Sequence, residues 1–396
     1  MSVMQSRREG FALAGAVLAM VLVGAIVTGG FYAAHQESQV TRSSELGDLA
    51  QYIAETGLET VVSSTNAATL NALATAGGPD TIASAVPVQY GGKTVGNYTV
   101  TVNRLTTYLF SVSSTGTVTI GQAGNNSNSR RTVTSVVRIR QVDMDNQAAI
   151  QVFGDLTVTG TSNVIGNTDS NLSGTWSGCT SQTGTSAVLT QSGTTIQTQG
   201  SGNIQGPITT TTLNASNFTV FGDLTWSDLV SMATNVYAAN SSLSQITPTT
   251  SGTGPSTICN TSDINNWGAP TQNTHLCFNH FPIVYAPGDL SISSNTAGQG
   301  ILLVQGDLHI QSQFEFYGPI IVMGQIDIQG GANLMGSIMA YGGGNIDSNN
   351  TTAGSMSVAY SSCAISRAVN GASGLVRGVP IRNRSWMDMT AIQNSF

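Results

Sequence analysis

The chain opens with a long apolar segment that predicts a membrane-spanning helix. Residues 11–32, FALAGAVLAMVLVGAIVTGGFY, contain no charged side chain. At about 1.5 Å per residue, such a helix extends about 33 Å, enough for the hydrocarbon core of a bilayer. Beyond it, apolar residues recur at spacings of three and four, which predicts an amphipathic continuation over 33–76, ending before Gly77. The residues of this apolar face are Leu46, Leu49, Ala50, Ile53, Ala54, Leu58 and Val61.

Farther along the chain the apolar residues alternate with polar ones at a period of two. Residues 97–102, 108–112 and 132–139 follow this pattern, and clusters of Gly, Asn and Ser separate them. Alternation of this kind, interrupted by turn residues, is typical of antiparallel strands with one buried face. The pattern predicts a small antiparallel sheet over 86–145.

The remaining residues repeat a Gly-Asp-Leu pattern. The repeats begin at Gly154, Gly222, Gly288, Gly306 and Gly324, where Gln325-Ile326 replaces Asp-Leu. The last three glycines lie 18 residues apart, and Gly342 continues the series. This step matches one coil of a small parallel β-helix: Gly permits the turn, Asp bonds its own local backbone, and the following apolar residues point inward. We therefore predict a β-helix over 146–396 and an α+β, mainly β, fold class.

The composition excludes a nucleic-acid partner. Only 8% of the residues are charged, the formal net charge is -7, and the pI is near 4.9. Phosphate binding needs clustered Lys and Arg, and the main basic cluster of this chain is small. Its members are Arg130, Arg131, Arg138 and Arg140. We interpret the cluster as a solvated strand face, with contact to a neighbouring subunit or an anionic glycan as the alternative.

The charges that flank the apolar segment predict its orientation. Arg7 and Arg8 directly precede it, whereas Arg42 is the only basic residue that follows within the next forty residues. The positive-inside rule therefore places the N-terminus in the cytoplasm and everything after Tyr32 outside it. A cleaved secretory signal is the alternative, but its apolar region is shorter and ends at a site of small residues, whereas Tyr32 precedes Ala33-Ala34 here.

Residues 7–27, RREGFALAGAVLAMVLVGAIV, resemble a class III-type prepilin signal. The resemblance implies that prepilin peptidase cuts between Gly10 and Phe11, with 1–10 as the leader. Residues 54–59, AETGLE, are similar to a block that PilX-like minor pilins carry at a comparable distance from the prepilin glycine. Major pilins have Glu at the fifth mature position, where this chain has Gly15. The resemblance, which covers about the first 65 residues, therefore implies a minor or accessory type IV pilin.

As a pilin-like protein, the chain is expected to cross the bacterial inner membrane once, with its bulk periplasmic or surface-exposed. Its expected partners are other pilin subunits, the inner-membrane pilus assembly machinery, prepilin peptidase and the lipid bilayer, with a surface glycan as a further candidate. The alternative is a membrane-tethered β-helix adhesin or envelope scaffold outside any pilus.

The four cysteines follow the apolar segment, and two of them lie close in sequence. Cys259 and Cys277 enclose a short loop-like stretch, which predicts a disulfide in an oxidising compartment, with free thiols as the alternative. The partners of Cys179 and Cys363 stay open. A zinc site at Cys277 with His275 and His280 is disfavoured because a fourth ligand at normal spacing is missing.

No catalytic or cofactor-binding pattern stands out, so we predict a non-enzymatic protein without cofactors. Nucleophile-elbow, zincin and P-loop motifs are absent from the sequence. A polysaccharide-active β-helix would need paired carboxylates that face each other across a groove, whereas the carboxylates of this chain recur at turn positions. The similar segments 166–171 and 344–349 could hold calcium, but each has one carboxylate, so local turns are the preferred interpretation.

Overall fold

A computed structural model gives the fold of the protein. The structure describes residues 9–65, 70, 73, 78–106, 108–120, 127–172, 174–179, 182–293, 295–311, 313–348, 356–381 and 387–388. They fall into two compact units: unit 1 comprises the described residues of 1–65, 69–138 and 378–396, and unit 2 those of 139–377. Unit 2 is thus inserted in the chain of unit 1.

The helices are α1 (Glu9–Ser64), α2 (Ser216–Thr219), α3 (Trp226–Ser231) and α4 (Ser362–Gly371), and Gly254–Ser256 form a 3₁₀ turn. The strands of unit 1 are β1 (Asp80–Tyr90), β2 (Lys93–Arg104), β3 (Leu109–Ile120), β4 (Ser127–Ile139), β28 (Gly378–Pro380) and β29 (Met387–Asp388). The first strands of unit 2 are β5 (Ala148–Val152), β6 (Leu156–Thr159), β7 (Asn163–Ile165), β8 (Ser186–Gln191), β9 (Ile196–Thr198), β10 (Asn203–Gln205), β11 (Ile208–Thr211), β12 (Val220–Phe221) and β13 (Leu224–Thr225). They are followed by β14 (Asn235–Val236), β15 (Ser241–Leu243), β16 (Thr250–Ser251), β17 (Ile258–Cys259), β18 (Ile283–Ala286), β19 (Leu290–Ile292), β20 (Ala297–Gln299) and β21 (Ile301–Val304). The last are β22 (Leu308–Ile310), β23 (Glu315–Val322), β24 (Ile326–Gln329), β25 (Asn333–Ala340), β26 (Gly344–Asp347) and β27 (Ser357–Tyr360).

The apolar start of the chain forms one continuous helix of 56 residues, α1. It ends at Ser64, before the expected limit of residue 76. The end coincides with Ser63 and Ser64, whose hydroxyls both donate to the carbonyl of Thr60. The same kind of bond occurs inside the helix at Thr56 and Thr60, so these hydroxyls do not by themselves determine its end, and Leu70 is again helical.

The second half of α1 packs on the antiparallel sheet of unit 1. The predicted apolar face is buried at Leu46, Ala50, Ile53, Ala54, Leu58 and Val61, and Leu49 is half-buried. Contact is close because Gly116 on β3 has no side chain: a Cβ there would lie 2.1 Å from the Ala50 carbonyl oxygen. The amphipathic pattern therefore reports packing against a sheet.

The sheet of unit 1 has the strand order β1-β2-β3-β4-β28, and β29 also pairs with β4. β1 to β4 are joined as consecutive antiparallel neighbours, and β29 is antiparallel to β4. The sheet begins at Asp80 instead of residue 86. Its last strands come from 378–388, a segment that the sequence analysis assigned to the 146–396 region, because the chain returns to β4 after completing unit 2.

Unit 2 is built mainly from two parallel sheets, of twelve and seven strands in the described residues. In the seven-stranded sheet, Leu290 pairs with Leu308, Leu308 with Ile326, and Ile326 with Gly344, so each neighbour lies 18 residues further along the chain. The inward side chains are apolar and pack with those of the other sheet; Leu290 and Leu308 are completely buried. A long N-terminal helix followed by mainly β structure, with parallel sheets and a small antiparallel sheet in unit 1, is thus confirmed.

The order of strands across these sheets differs from their order in the chain. Gly344 pairs on its far side with Leu156, and Ile338 with Ile150, so the first strands of unit 2 lie beside the last ones. From there the smaller sheet continues from β6 to β9, and the larger sheet continues from β5 through β8 to β11. The repeat beginning at Gly154 therefore follows the one at Gly342 in space.

The segment at Gly222 departs from the predicted pattern. Val220–Phe221 and Leu224–Thr225 form a two-residue antiparallel hairpin, with Gly222 in the turn at a φ of +67°. The Asp223 carboxylate accepts the backbone N–H of Gln141. A Gly-Asp-Leu triplet suits this turn as well as a coil, so assigning this segment to the repeat was wrong.

A second set of glycines, at the same 18-residue step, bends the strands of the larger sheet. Gly300, Gly318 and Gly336 all have positive φ, between +116° and +152°. The two halves of β25 consequently pair with different strands, its start with β27 and its end with β5. This backbone region is open mainly to glycine, so these glycines permit the bend.

Candidate functional site

The first half of α1 presents an exposed apolar surface. Every residue from 13 to 45 is exposed, and large apolar side chains such as Leu13 and Met20 are 73% and 78% accessible. The helix has an 18-residue window with a mean hydropathy of 2.2 and is long and apolar enough to cross a membrane. Such a surface is unfavourable in water and marks a region that contacts lipid or other apolar helices.

The predicted processing site lies at the start of this helix. Residues 1–8 of the leader are outside the described residues, and Gly10 and Phe11 belong to the first turns of α1. At Gly15, which occupies the position of the usual pilin Glu, a Cβ would meet nothing within 4 Å. Contacts within the chain therefore leave room for a larger side chain at position 15, so they do not explain the absence of Glu there.

The AETGLE block of α1 contributes to packing inside unit 1. Ala54 and Leu58 are buried, and a Cβ at Gly57 would lie 2.6 Å from the ring of Tyr98 on β2. Glu59 is exposed, and Glu55 accepts a hydrogen bond from Gln51 one turn earlier. The small and apolar residues of the block thus match the surface of the sheet, and its carboxylates face away.

The arginines of the basic cluster are separated in space. Arg130 and Arg138 lie eight residues apart on β4, which at about 3.3 Å per residue separates their Cα atoms by about 26 Å. Arg131 lies against α1 at Gly47. In unit 2, the Arg140 guanidinium contacts the sulfur of Met232 at 3.9 Å. Arg130 and Arg138 are therefore too far apart to bind one small anion together.

The aspartates of the repeat bind the backbone of the neighbouring row. The Asp289 Oδ1 accepts the N–H of Asp307 at 2.9 Å, and the Asp307 Oδ1 accepts the N–H of Gln325 at 2.7 Å. Asn240 precedes them in the same role, and Asp155 accepts the N–H of Thr195. The prediction that each Asp bonds its own local backbone was wrong, because stacking brings the next turn within closer reach.

The glycines of the repeat make room for these carboxylates. A Cβ at Gly306 would lie 2.2 Å from Asp289 Oδ1, and one at Gly324 would lie 2.2 Å from Asp307 Oδ1. Neither glycine has positive φ, so close approach and not backbone conformation requires them. We call these residues the Gly-Asp ladder: Gly288, Asp289, Gly306, Asp307 and Gly324.

The candidate calcium loop at 166–171 uses its carboxylate to hold protein groups. Asp169 is buried and accepts the backbone N–H of Gln182, together with the N–H and hydroxyl of Ser362. Ser362 is the first residue of α4, so the carboxylate also faces the positive end of a helix. Asn349 of the second loop lies outside the described residues. This arrangement accounts for Asp169 without a cation.

Two disulfides join all four cysteines. Cys259 pairs with Cys277 at a Cα–Cα distance of 4.9 Å, and Cys179 pairs with Cys363 at 5.8 Å. Cys277 therefore has no thiolate to offer a metal. Among the residues whose placement is described, no group of three or more His, Cys, Asp or Glu is arranged to hold a metal ion.

A polar row that the sequence analysis missed lies on the outer face of the seven-stranded sheet. His309, Asp327 and Asn345 occupy equivalent positions on successive strands. The Asp327 carboxylate accepts from Gln329 at 2.8 Å and from Asn345 at 3.2 Å and lies 3.6 Å from His309 Nδ1. These side chains line a groove of about 540 Å³. Their 18-residue spacing was the available signal, and their hydrogen-bonding groups suit a hydroxyl-rich ligand.

The described residues that line a second groove, of about 650 Å³, are hydroxyl and amide residues, Pro, Ala and Gly, together with one carboxylate, Glu315. The Glu315 carboxylate accepts the phenol of Tyr317 at 2.8 Å. Burial, and then this carboxylate, raise the pKa of Tyr317. Among the described residues that line this groove, the one carboxylate is thus bonded to a neighbouring phenol.

Comparisons with known proteins place few constraints on the chain. No protein-family model and no curated protein matches it. Among solved structures, it is similar to the competence-associated pilin ComZ from Thermus thermophilus, with 12% identity over 86% of this chain and 96% of the other. The TM-score is 0.23. At that score the two structures do not establish a common fold.

Proposed function

We propose that this protein is a membrane-anchored, type IV pilin-like subunit, of the minor or accessory kind, that carries a β-rich region outside the cytoplasm. The observation that carries the proposal is the division of α1. Its residues 13–45 are entirely exposed and largely apolar, whereas from Leu46 onward one face is buried against an antiparallel sheet. A helix that is half anchor and half core is the arrangement expected of a pilin.

The exposed half of α1 is suited to lipid first and to a bundle of other pilin helices afterwards. Both surroundings remove its apolar side chains from water, which is the dominant favourable term for such a surface. Arg7 and Arg8 support an orientation with the N-terminus on the cytoplasmic side of a bacterial inner membrane and the bulk of the chain periplasmic or on the surface.

The leader-like sequence favours a pilin over a simple membrane tether. Prepilin peptidase would cut between Gly10 and Phe11, and the assembly machinery would move the mature helix from the bilayer into the filament. Gly15 lacks the carboxylate of major pilins, which favours an accessory or tip position over the filament body.

We further propose that unit 2 is a parallel β-helix that acts as a surface head, with a binding or scaffolding role instead of catalysis. The in-register pairing of Leu290, Leu308 and Ile326 at 18-residue steps supports the coil. The carboxylates of Asp155, Asp289 and Asp307 bind backbone N–H groups, which supports a structural use. The polar groove at His309 is the candidate for adhesion to a surface glycan.

Processing tests the pilin assignment. In cells, Gly10→Val should block removal of the leader and prevent the protein from appearing in sheared surface filaments. N-terminal sequencing of the parent protein from those filaments should begin at Phe11. A parent protein that keeps Met1 at its N-terminus, with identical localisation of the variant, would instead support a membrane-tethered β-helix adhesin or scaffold.

Membrane insertion is tested separately by a charge at the middle of the apolar half. A carboxylate at the bilayer centre costs about 3 kcal/mol. Val21→Asp should therefore abolish recovery of the protein in the membrane fraction. Val40→Asp is the matched control, because Val40 is similarly exposed, at 70% against 65%, but lies outside 11–32. Equal membrane recovery of both variants would contradict the anchor.

A further inference from the structure

The two ends of unit 2 differ in how their terminal strands are covered. At the end containing β14 and β15, the side-chain amide of Asn235 and the hydroxyl of Tyr237 both donate to the carbonyl of Ile264. The indole of Trp267, which is completely buried, donates to the same carbonyl. The Cys259–Cys277 disulfide lies in this covering segment. Polar groups at this end are therefore bonded within the chain.

The opposite end, which we call the open end, consists of β9, β10 and β11. Each of these strands pairs with a neighbour on one side only. All four residues of β11 are exposed. The chain then turns back along earlier rows, since the Leu213 N–H donates to Gln191 and the Asn217 carbonyl accepts from Gln151. Among the described residues, no strand pairs with the outer side of β11.

The open end lacks the charge that usually protects a strand edge. No Asp, Glu, Lys or Arg occurs from 170 to 222, although the chain as a whole carries a net charge of -7. Exposed edges are normally blunted with charged side chains, because free backbone groups pair readily with another strand. Ile208 at the start of β11 is 48% exposed.

The direction of the free backbone groups on β11 follows from its pairing with β8. The Pro207 carbonyl accepts from Ala187, and the Thr211 carbonyl accepts from Ser192, so the odd-numbered residues face β8. Because the direction alternates along a strand, the N–H groups of Ile208 and Thr210 point away from it. These two donors are available to a partner strand.

We propose that the open end pairs with the open end of a second copy of this chain, β11 against β11, related by a two-fold axis. Two copies with the same net negative charge repel one another least where the contact surface carries no charge. Threonine hydroxyls pair with hydroxyls on neighbouring strands in unit 1, as in Ser113–Thr134 and Thr115–Thr132. On β11 the Thr209 hydroxyl is already bonded to Ser186, so Thr210 and Thr211 are the residues whose hydroxyls would meet a symmetry copy. The proposal does not depend on the pilin assignment.

The test uses the full chain in detergent, with sedimentation to measure self-association and amide hydrogen exchange to locate the contact. Thr210→Pro removes the N–H group that points away from β8 and keeps the hydrogen bonds to β8. Because the dimer is symmetric, the contact loses this donor from each copy. At typical hydrogen-bond strengths we expect the dissociation constant of the dimer to rise about tenfold. Ile208→Lys should also weaken the dimer by placing two like charges at the contact.

Ile258→Lys is the matched control, because Ile258 is 63% exposed but lies on β17, away from the open end, and its dimer should be unchanged. In the parent, exchange over 206–212 should slow as concentration rises. A monomeric parent, or a dimer whose exchange in 206–212 is independent of concentration, would overturn the proposal; so would unchanged association of both edge variants. If Thr210→Pro fails to fold, Ile208→Lys decides.

Discussion

Gly324→Ala tests whether the glycines of the Gly-Asp ladder are required for close approach. The added Cβ would lie 2.2 Å from Asp307 Oδ1 and 2.6 Å from the Gly306 carbonyl oxygen. Ordinary carbon–oxygen contact needs more than 3 Å, so the carboxylate must move by about 1 Å. That shift breaks its 2.7 Å hydrogen bond with the Gln325 N–H.

The two costs can be estimated separately. Loss of a hydrogen bond to a charged acceptor costs about 1.5–3 kcal/mol, and overpacking in a well-packed site costs about 1–3 kcal/mol. Because the same movement of Asp307 contributes to both costs, they do not add fully. We therefore expect the free energy of unfolding to fall by about 3 kcal/mol. With a urea dependence of about 3 kcal/mol per molar, the unfolding midpoint should fall by about 1 M.

The assay is urea unfolding of the oxidised full-length protein, followed by tryptophan fluorescence, which reports on the buried Trp267. Asp307→Ala should reduce the penalty of Gly324→Ala, so the double variant should be more stable than the sum of the single effects predicts. Gly24→Ala, at a glycine with no neighbour within 4 Å, should keep the parent midpoint. A parent-like midpoint for Gly324→Ala, or strict additivity with Asp307→Ala, would refute the reasoning.

Three further changes test other parts of the molecule. Replacing Cys259 and Cys277 with serine should cost about 3 kcal/mol in urea unfolding, because their disulfide closes a loop of 18 residues; an unchanged midpoint would contradict this. Burial raises the pKa of Tyr237 to about 12, so its contribution to stability should be complete below pH 10 and decline as the pH rises toward 12. Tyr237→Phe should flatten that decline in unfolding midpoints measured from pH 9 to 12, and an unaltered slope would argue against it. Gly116→Ala should lower the melting temperature of unit 1, since its Cβ would meet the Ala50 carbonyl oxygen, whereas unchanged melting would mean that α1 shifts freely.

Local patterns were sufficient to predict the elements of unit 1. A long uncharged apolar run has few alternatives to a helix, and the stripe from Leu46 to Val61 identifies the buried face because helical spacing is regular. The alternation in 97–102 and 132–139 likewise indicates strands. β1 was missed as a strand of its own, since its burial alternates irregularly around the bulges near Ala83 and Val86.

The candidate sites were likewise only partly predictable from the sequence. The Asp residues of the repeat were predicted to bond their own local backbone, but the partners of Asp289 and Asp307 lie 18 residues away, because stacking creates contacts that no local rule contains. The row of His309, Asp327 and Asn345 was missed because three different residue types share its outward position.

Short-range periodicity was enough to predict the apolar helix, the β character of the rest and the 18-residue step. Which repeats stack on one another depends on long-range packing. Gly154 follows Gly342 in space and Gly222 forms a hairpin, although all three begin similar segments. A triplet specifies a turn, but the neighbour of that turn is selected by the packing of successive strands and their buried side chains.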